Sequence, residues 1–306
     1  MSGDHQTIEI SHLTKRYGPV TAVRDLSFTV LPGVITGFLG PNGAGKTTTM
    51  RLLTGLVSPT SGTATIGGRP YRQLQRPSST VGAVFDADAF HPGHTAREHL
   101  RVYAALGGYP DSRVTDLLDL LGLTDAADRR TRGFSTGMRQ RLNLATALLG
   151  DPRVLLLDEP SNGLDPEGMR WLRGFLRRLA DEGRTVLISS HVLSEVQQLV
   201  DDIVVIRNGE LVAAGPWSRL AGPPVVLVSS PDADRLTAVL QASGQVGRAP
   251  RVEAADDGRL RVRGLDAPGI ADLAAAHQLR VHELVIENTS LEHLFLQLTA
   301  ERATVA

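Results

Sequence analysis

The sequence predicts an α/β domain built on a mostly parallel sheet, followed by a smaller α+β domain. Three observations lead there. First, an apolar run, Val34 to Leu39, meets a glycine-rich loop, Gly40-Pro41-Asn42-Gly43-Ala44-Gly45-Lys46-Thr47-Thr48, which opens a helical run from Thr47 to Leu56. Second, short apolar runs alternate with amphipathic stretches from Val154 to Ile206, the rhythm of strands joined by crossover helices. Third, beyond a proline-rich break the order changes to strand, helix, strand, strand, helix, strand.

Taken in order, Thr7–Ser11 and Leu26–Val30 read as strands, with Lys15-Arg16-Tyr17-Gly18-Pro19 as the turn between them. The glycine loop and its helix come next, then a glycine-rich hairpin region from Ser61 to Arg69 and a strand over Val81–Phe85. Residues 87–150 read as mainly helical. Val114, Leu117, Leu118 and Leu121 recur at helical spacing, and Thr136–Leu149 repeats the style. Strands follow at Val154–Leu157 and Thr185–Ser189, with a helix over Glu167–Ala180 between them and another from Val192. Ile203–Ile206 and Leu211–Ala213, joined at Asn208-Gly209, make a hairpin.

Pro216 and the Gly222-Pro223-Pro224 cluster mark a linker. Domains are therefore expected at 1–218 and 219–306, with a helical subdomain at about 87–150 of the first. The second domain's strands fall at 225–229, 251–254, 259–263 and 281–286, and its helices at 232–242 and 268–276. That βαββαβ order predicts a small ferredoxin-like fold. Thr289 and Glu292 could form a capping box for a last helix carrying Leu291, Leu294, Phe295 and Leu298 on one face.

Composition narrows the function. Lys plus Arg number 32 against 33 Asp plus Glu, a balance that gives no general affinity for nucleic acid or anionic membrane. No cysteine is present, which removes disulfides and thiolate metal sites and suits a reducing compartment. The N-terminus lacks the basic and apolar segments of a signal peptide, and no run approaches the ~20 apolar residues that span a bilayer. A function at a membrane would need another polypeptide to supply the spans.

The glycine loop carries the chemistry. A glycine, four residues, then Gly-Lys-Thr, set between strand and helix, is the phosphate-binding loop pattern. Gly40, Gly43 and Gly45 let successive backbone N–H groups curl toward phosphate oxygens, and Asn42 and Thr48 lie in the same cradle. The helix start at Lys46 aims its positive end at the same anion. Lys46 is suited to the β- and γ-phosphates and the Thr47 hydroxyl to Mg²⁺. A nucleoside triphosphate with Mg²⁺ is the implied cofactor pair. Val154–Leu157 then ends in Asp158-Glu159-Pro160. Asp158 can hold the Mg²⁺ shell, and Glu159 can polarise an attacking water. Ser135, ahead of Thr136-Gly137-Met138, is placed to cap a helix N-terminus, a second anion-seeking site.

These segments, in this order, resemble the nucleotide-binding subunit of an ATP-binding cassette (ABC) transporter. The family's signature loop reads Leu-Ser-Gly-Gly-Gln. Ser135 and Gly137 match it, while Phe134, Thr136 and Met138 depart. By the same resemblance, Gly163-Leu164-Asp165 is the loop that crosses between two nucleotide domains, His191 contacts the γ-phosphate, and Tyr17 stacks on adenine. Packing of Tyr17 on the core is its alternative. Asp86 stands where the family carries a glutamine that touches Mg²⁺ and senses the membrane partner; its carboxylate can still ligate Mg²⁺, and the departure is similar to the peptide-antibiotic and drug-resistance branch. The fold implied is a P-loop NTPase of ABC type, with a mixed sheet core, a β-subdomain and a helical subdomain.

The resemblance further implies an ATPase that powers a separate permease, exporting a drug, antibiotic or similar amphiphile. It would work as a homodimer, peripheral on the cytoplasmic face of the membrane. The surface from Asp86 to Leu100, with Phe90 and His91, would meet the permease or else pack within the small subdomain. A soluble cassette ATPase acting on ribosomes or DNA is the rival, though tandem cassettes and a coiled-coil insertion are missing. Residues 225–306 could serve as a dimer clamp or regulatory cap.

Overall fold

A computed structural model describes residues 6–85, 90–222, 225–243, 250–255, 257–287, 290–292 and 294–295. The chain divides into two compact units, Met1–Gly215 and Pro216–Ala306.

The first unit holds two sheets. Strands β1 (Ile8–Tyr17), β2 (Val20–Val30) and β4 (Ser61–Ile66) form an antiparallel sheet in the order β2-β1-β4. The second sheet runs β5-β6-β7-β3-β8-β9, from β3 (Ile35–Leu39), β5 (Val81–Val84), β6 (Val154–Leu157), β7 (Thr185–Ser190), β8 (Asp202–Arg207) and β9 (Glu210–Pro216). Its registered pairs from β5 to β8 are parallel. The turn at Asn208 (φ 52°) and Gly209 (φ 81°) then reverses the chain, so β9 returns antiparallel and the sheet is mixed.

All residues of β3 and β6 are buried, as expected for strands covered on both faces. Phe38, Leu156, Leu187 and Ile206 join Ile8, Leu13, Leu26 and Met50 in one core, so the antiparallel sheet packs against the strands that carry the loops. Burying each such side chain stabilises by about 1.5–3 kcal/mol.

Helices α1 (Lys46–Leu53), α2 (Pro77–Thr80), α3 (Ala96–Gly107), α4 (Asp111–Leu120), α5 (Thr136–Ala147), α6 (Pro166–Asp181) and α7 (Leu193–Val196) complete the unit. The stretch from 96 to 147 is mainly helical, as expected, with Val114, Leu117, Leu118 and Leu121 buried. Thr95 and Glu98 form a reciprocal capping box at the start of α3.

The expected turn at Lys15–Pro19 shrinks to Gly18-Pro19, because Lys15, Arg16 and Tyr17 lie within β1. The reason is a pair of irregularities. His12 (φ 50°) and Asp25 (φ 46°) sit where the β1–β2 register shifts, joined by a 2.8 Å contact between the His12 ring and the Asp25 carboxylate. Such bulges break the strict alternation by which a strand is read. The Ser61–Arg69 region is not a self-contained hairpin either: β4 pairs with β1, and only an Ile66–Arg69 bridge closes around Gly67-Gly68. The first helix also stops early, at Leu53, where Thr54 caps it.

The second unit contains α8 (Trp217–Leu220), β10 (Val225–Ser229), α9 (Ala233–Ala242), β11 (Arg251–Ala254), β12 (Leu260–Arg263), α10 (Ala267–Ala276) and β13 (Glu283–Glu287). Its antiparallel sheet is ordered β11-β12-β10-β13, the ferredoxin-like arrangement that βαββαβ predicts. Val226, Val228, Leu260 and Val262 face Leu236, Leu240, Ile270 and Ala274 of the two helices. Leu291 is buried, whereas Pro223, Pro224, Thr289 and Leu298 lie outside the described residues.

Candidate functional site

The ends of β3, β6 and β7 place one cluster of polar groups together. After β3 the loop turns through Gly40 to Gly45 into α1. A Cβ on Gly40 would lie 2.5 Å from the Ile206 carbonyl oxygen, so the loop is seated against the end of β8 where only glycine fits. Gly45 has φ 106°, and its Cβ would lie 2.5 Å from the Ala22 carbonyl oxygen. No side chain caps α1, which leaves its first amides directed at the cleft that Asn42, Gly43, Lys46, Thr47, Thr48 and Glu159 line.

Lys46 is nearly buried, and its ammonium donates to the Gly40 carbonyl at 2.7 Å and the Pro41 carbonyl at 3.4 Å. Its Nζ also lies 3.6 Å from Glu159 Oε1. Burial pulls the Lys46 pKa below its ordinary value, while the charges of Glu159 and Asp158 oppose that pull. The Thr47 hydroxyl donates to Asp158 Oδ2 at 2.6 Å. Asp158 Oδ1 accepts a short hydrogen bond from the Ser189 hydroxyl.

Glu159 is held in the left-handed region at φ 51°, a strained place for a side chain of this size that typically costs about 1–3 kcal/mol. Its amide donates to Ser189 Oγ at 2.9 Å. Its Oε2 accepts from the His191 amide at 3.3 Å and lies 2.8 Å from His191 Nδ1. Since a carboxylate only accepts, that pairing puts the imidazole proton on Nδ1. Lys46, Thr47, Asp158, Glu159 and His191 thus meet at one place.

No sequence motif singles out Ser189, yet it bonds both acids, accepting from the Glu159 amide and donating to Asp158. The signal was available: a buried apolar strand, Val186-Leu187-Ile188, ends in two buried serines, and a buried hydroxyl requires a partner.

Tyr17 stands at the end of β1 with 48% of its surface exposed and the Lys15 ammonium 4.8 Å from its ring centre. It is not packed into the core, so a face remains accessible for stacking. Asp86 lies outside the described residues. Phe90, half-buried, packs edge-on to His99, whereas His91 is exposed and lies against His94. Further along α3, Val102, Tyr103 and Leu106 are exposed.

A separate cleft gathers Ser135, Gly137 and Asp165. Ser135 caps α5 by accepting from the Met138 amide at 3.3 Å, and Asp165 caps α6 by accepting from the Gly168 amide at 2.7 Å. Two helix N-termini therefore meet one cleft. A Cβ on Gly163 would lie 3.1 Å from the Thr136 methyl, so the β-branched residue in the signature position faces the loop after β6. This second cleft shares no lining residue with the first.

The comparisons with known proteins agree with this geometry. Residues 23–162 match the family described as ABC transporter, and residues 224–292 match a domain of unknown function. The chain is 36% identical over 313 residues to the Nod factor export ATP-binding protein I of Ralstonia nicotianae, covering 97% of this chain and 95% of that one. It is 41% identical over 216 residues to the bacitracin transport ATP-binding protein of Bacillus licheniformis, covering 70% and 71%. The solved structure of an ATP-binding subunit of an ABC transporter superposes with a TM-score of 0.63 at 27% identity, covering 70% of this chain and 91% of that one. With the phosphate loop, paired acids and capped signature helix in place, this chain belongs to the ATP-binding, ATP-hydrolysing subunits of ABC transporters.

Proposed function

We propose that this subunit energises export of an antibiotic or similar amphiphile through a separate membrane permease, as a dimer of two identical chains. One observation carries the dimer: the phosphate-loop cleft and the Ser135–Asp165 cleft are lined by different residues of the same chain. A triphosphate held on Lys46 and the α1 amides therefore needs the capped N-terminus of α5 from a second copy to enclose it. The direction and the kind of cargo rest on the similarity to the bacitracin and Nod factor proteins.

Within each site the loop amides and Lys46 bind the phosphates, and Tyr17 stacks on adenine. Glu159, fixed by His191 and by Ser189, takes the proton from water. Thr47 and Asp158 would hold Mg²⁺, which supplies charge neutralisation on the phosphates. Mg²⁺ is usually bound through one or two carboxylates together with substrate phosphates and several waters, a habit that the Thr47–Asp158 pair would suit. No helix of the described residues is long and apolar enough to cross a membrane, and attachment to the inner face of the membrane is through the permease.

Two experiments follow. Replacing Tyr17 by alanine raises the KM for ATP by about 5- to 150-fold, the loss of a 1–3 kcal/mol base stack, while Tyr17→Phe stays near wild type. An unchanged KM in the alanine variant would assign Tyr17 to packing alone. The function itself is tested by gentle solubilisation of native membranes around the tagged chain. A multi-spanning protein at equal stoichiometry is the expected partner. Recovery with ribosomes or DNA from the soluble fraction would overturn the transport reading.

A further inference from the structure

Arg141 and Trp171, which line the second cleft, form a stack of side chains between the two helices that frame it. The Arg141 guanidinium of α5 sits 4.3 Å from the centre of the Trp171 ring on α6. The other side of that contact continues along α6, where Trp171 stacks on Phe175 at 5.2 Å with the rings only 12° from parallel. Phe175 is buried, so the indole is braced from within the fold. The same guanidinium is held a second time, donating through Nη1 to the Leu121 carbonyl at 3.3 Å, where the C-terminus of α4 favours a cation.

The spacing gives this contact its consequence. Arg141 and Trp171 each lie six residues beyond the residue that caps their helix, Ser135 on α5 and Asp165 on α6. At 1.5 Å per residue both N-termini therefore extend by about 9 Å from the same pinned point. Any slip or rotation of α5 at that point swings its N-terminus relative to that of α6.

We infer that Trp171, through Arg141, is a positioning residue that aligns the starts of α5 and α6 for the nucleotide held by a second copy. The inference rests on the proposed two-chain site. It separates Trp171 from the chain's own phosphate loop: losing the indole impairs closure of the dimer and not nucleotide capture by the single chain. Cation–π contacts of this kind are modest at exposed sites and stronger when desolvated. Here the contact acts through geometry.

The test uses the full chain in the Glu159→Gln background, where hydrolysis does not dissolve the complex. ATP-driven dimerisation is followed by sedimentation, and capture of a fluorescent ATP analogue by single chains by titration. Trp171→Ala is expected to weaken dimerisation at least tenfold while analogue binding stays within about twofold. Trp171→Phe, which keeps a face for Arg141, is expected to restore most of the dimer. Undiminished dimerisation in Trp171→Ala overturns the role, as does a parallel loss of analogue binding, which would mean general disruption. If Trp171→Ala does not fold, the phenylalanine variant and Arg141→Met carry the same comparison. If the Glu159→Gln parent itself fails to dimerise with ATP, the two-chain site falls and this inference with it.

Discussion

Replacing Glu159 by glutamine lowers ATP turnover by about 10²- to 10⁴-fold, the usual worth of a positioned general base, and leaves a persistent ATP-bound dimer. The amide is nearly isosteric and keeps an oxygen to accept from the His191 backbone, 3.3 Å away in the native protein. It cannot take a proton from water. It also loses the charge that sits 3.6 Å from Lys46, so nucleotide affinity should hold or rise, since one negative group near the phosphates has gone. Phosphate release under saturating ATP, together with sedimentation, reads both effects. Wild-type turnover in this variant would remove Glu159 as the base and shift attention to His191.

The backbone of residue 159 adds a second expectation to the same experiment. Its positive φ is maintained by the bond from its amide to Ser189, a contact that glutamine preserves. The variant should therefore unfold at a temperature close to that of the parent. A collapse in stability would mean that the carboxylate's contacts with His191 and Lys46, not the backbone anchor, hold this turn together.

How far the sequence discloses this site depends on how local each signal is. The phosphate loop is a contiguous pattern with a reason for every glycine, and the structure shows those reasons at Gly40 and Gly45. Val154–Leu157 is legible because both faces of a central parallel strand are buried, leaving an unbroken apolar run. The order of strands in the second unit follows from βαββαβ because few topologies satisfy that connectivity.

Signals that depend on distant partners are harder to read. Ser189 serves Asp158 and Glu159 from about thirty residues away in sequence, and nothing beside it announces those partners. The β1–β2 hairpin is longer than its alternation suggests because bulges at His12 and Asp25 shift the pattern, although Leu13 and Leu26 still reach the core. The Arg141–Trp171 stack joins two helices whose separate patterns gave no hint of contact. In each case the missing information is which side chain lies across the fold.

Lys46→Ala is the other change with a large expected effect: a loss of nucleotide affinity of roughly 100-fold, equivalent to about 3 kcal/mol for a charged hydrogen bond in a largely desolvated setting. The native ammonium is already positioned by two loop carbonyls, Gly40 and Pro41, so little conformational entropy is lost when phosphate arrives. Truncation removes that charge and leaves Glu159 and Asp158 without their nearest cation. The acids then repel the polyphosphate that the site exists to hold. Arginine should not rescue, because a planar guanidinium is a poor match for a narrow pocket built around a compact ammonium. Titration with a fluorescent ATP analogue measures the loss, and thermal unfolding checks that the loop survives. Retained affinity in Lys46→Ala would mean that the α1 amides bind the phosphates by themselves, and that Lys46 serves mainly to hold Glu159.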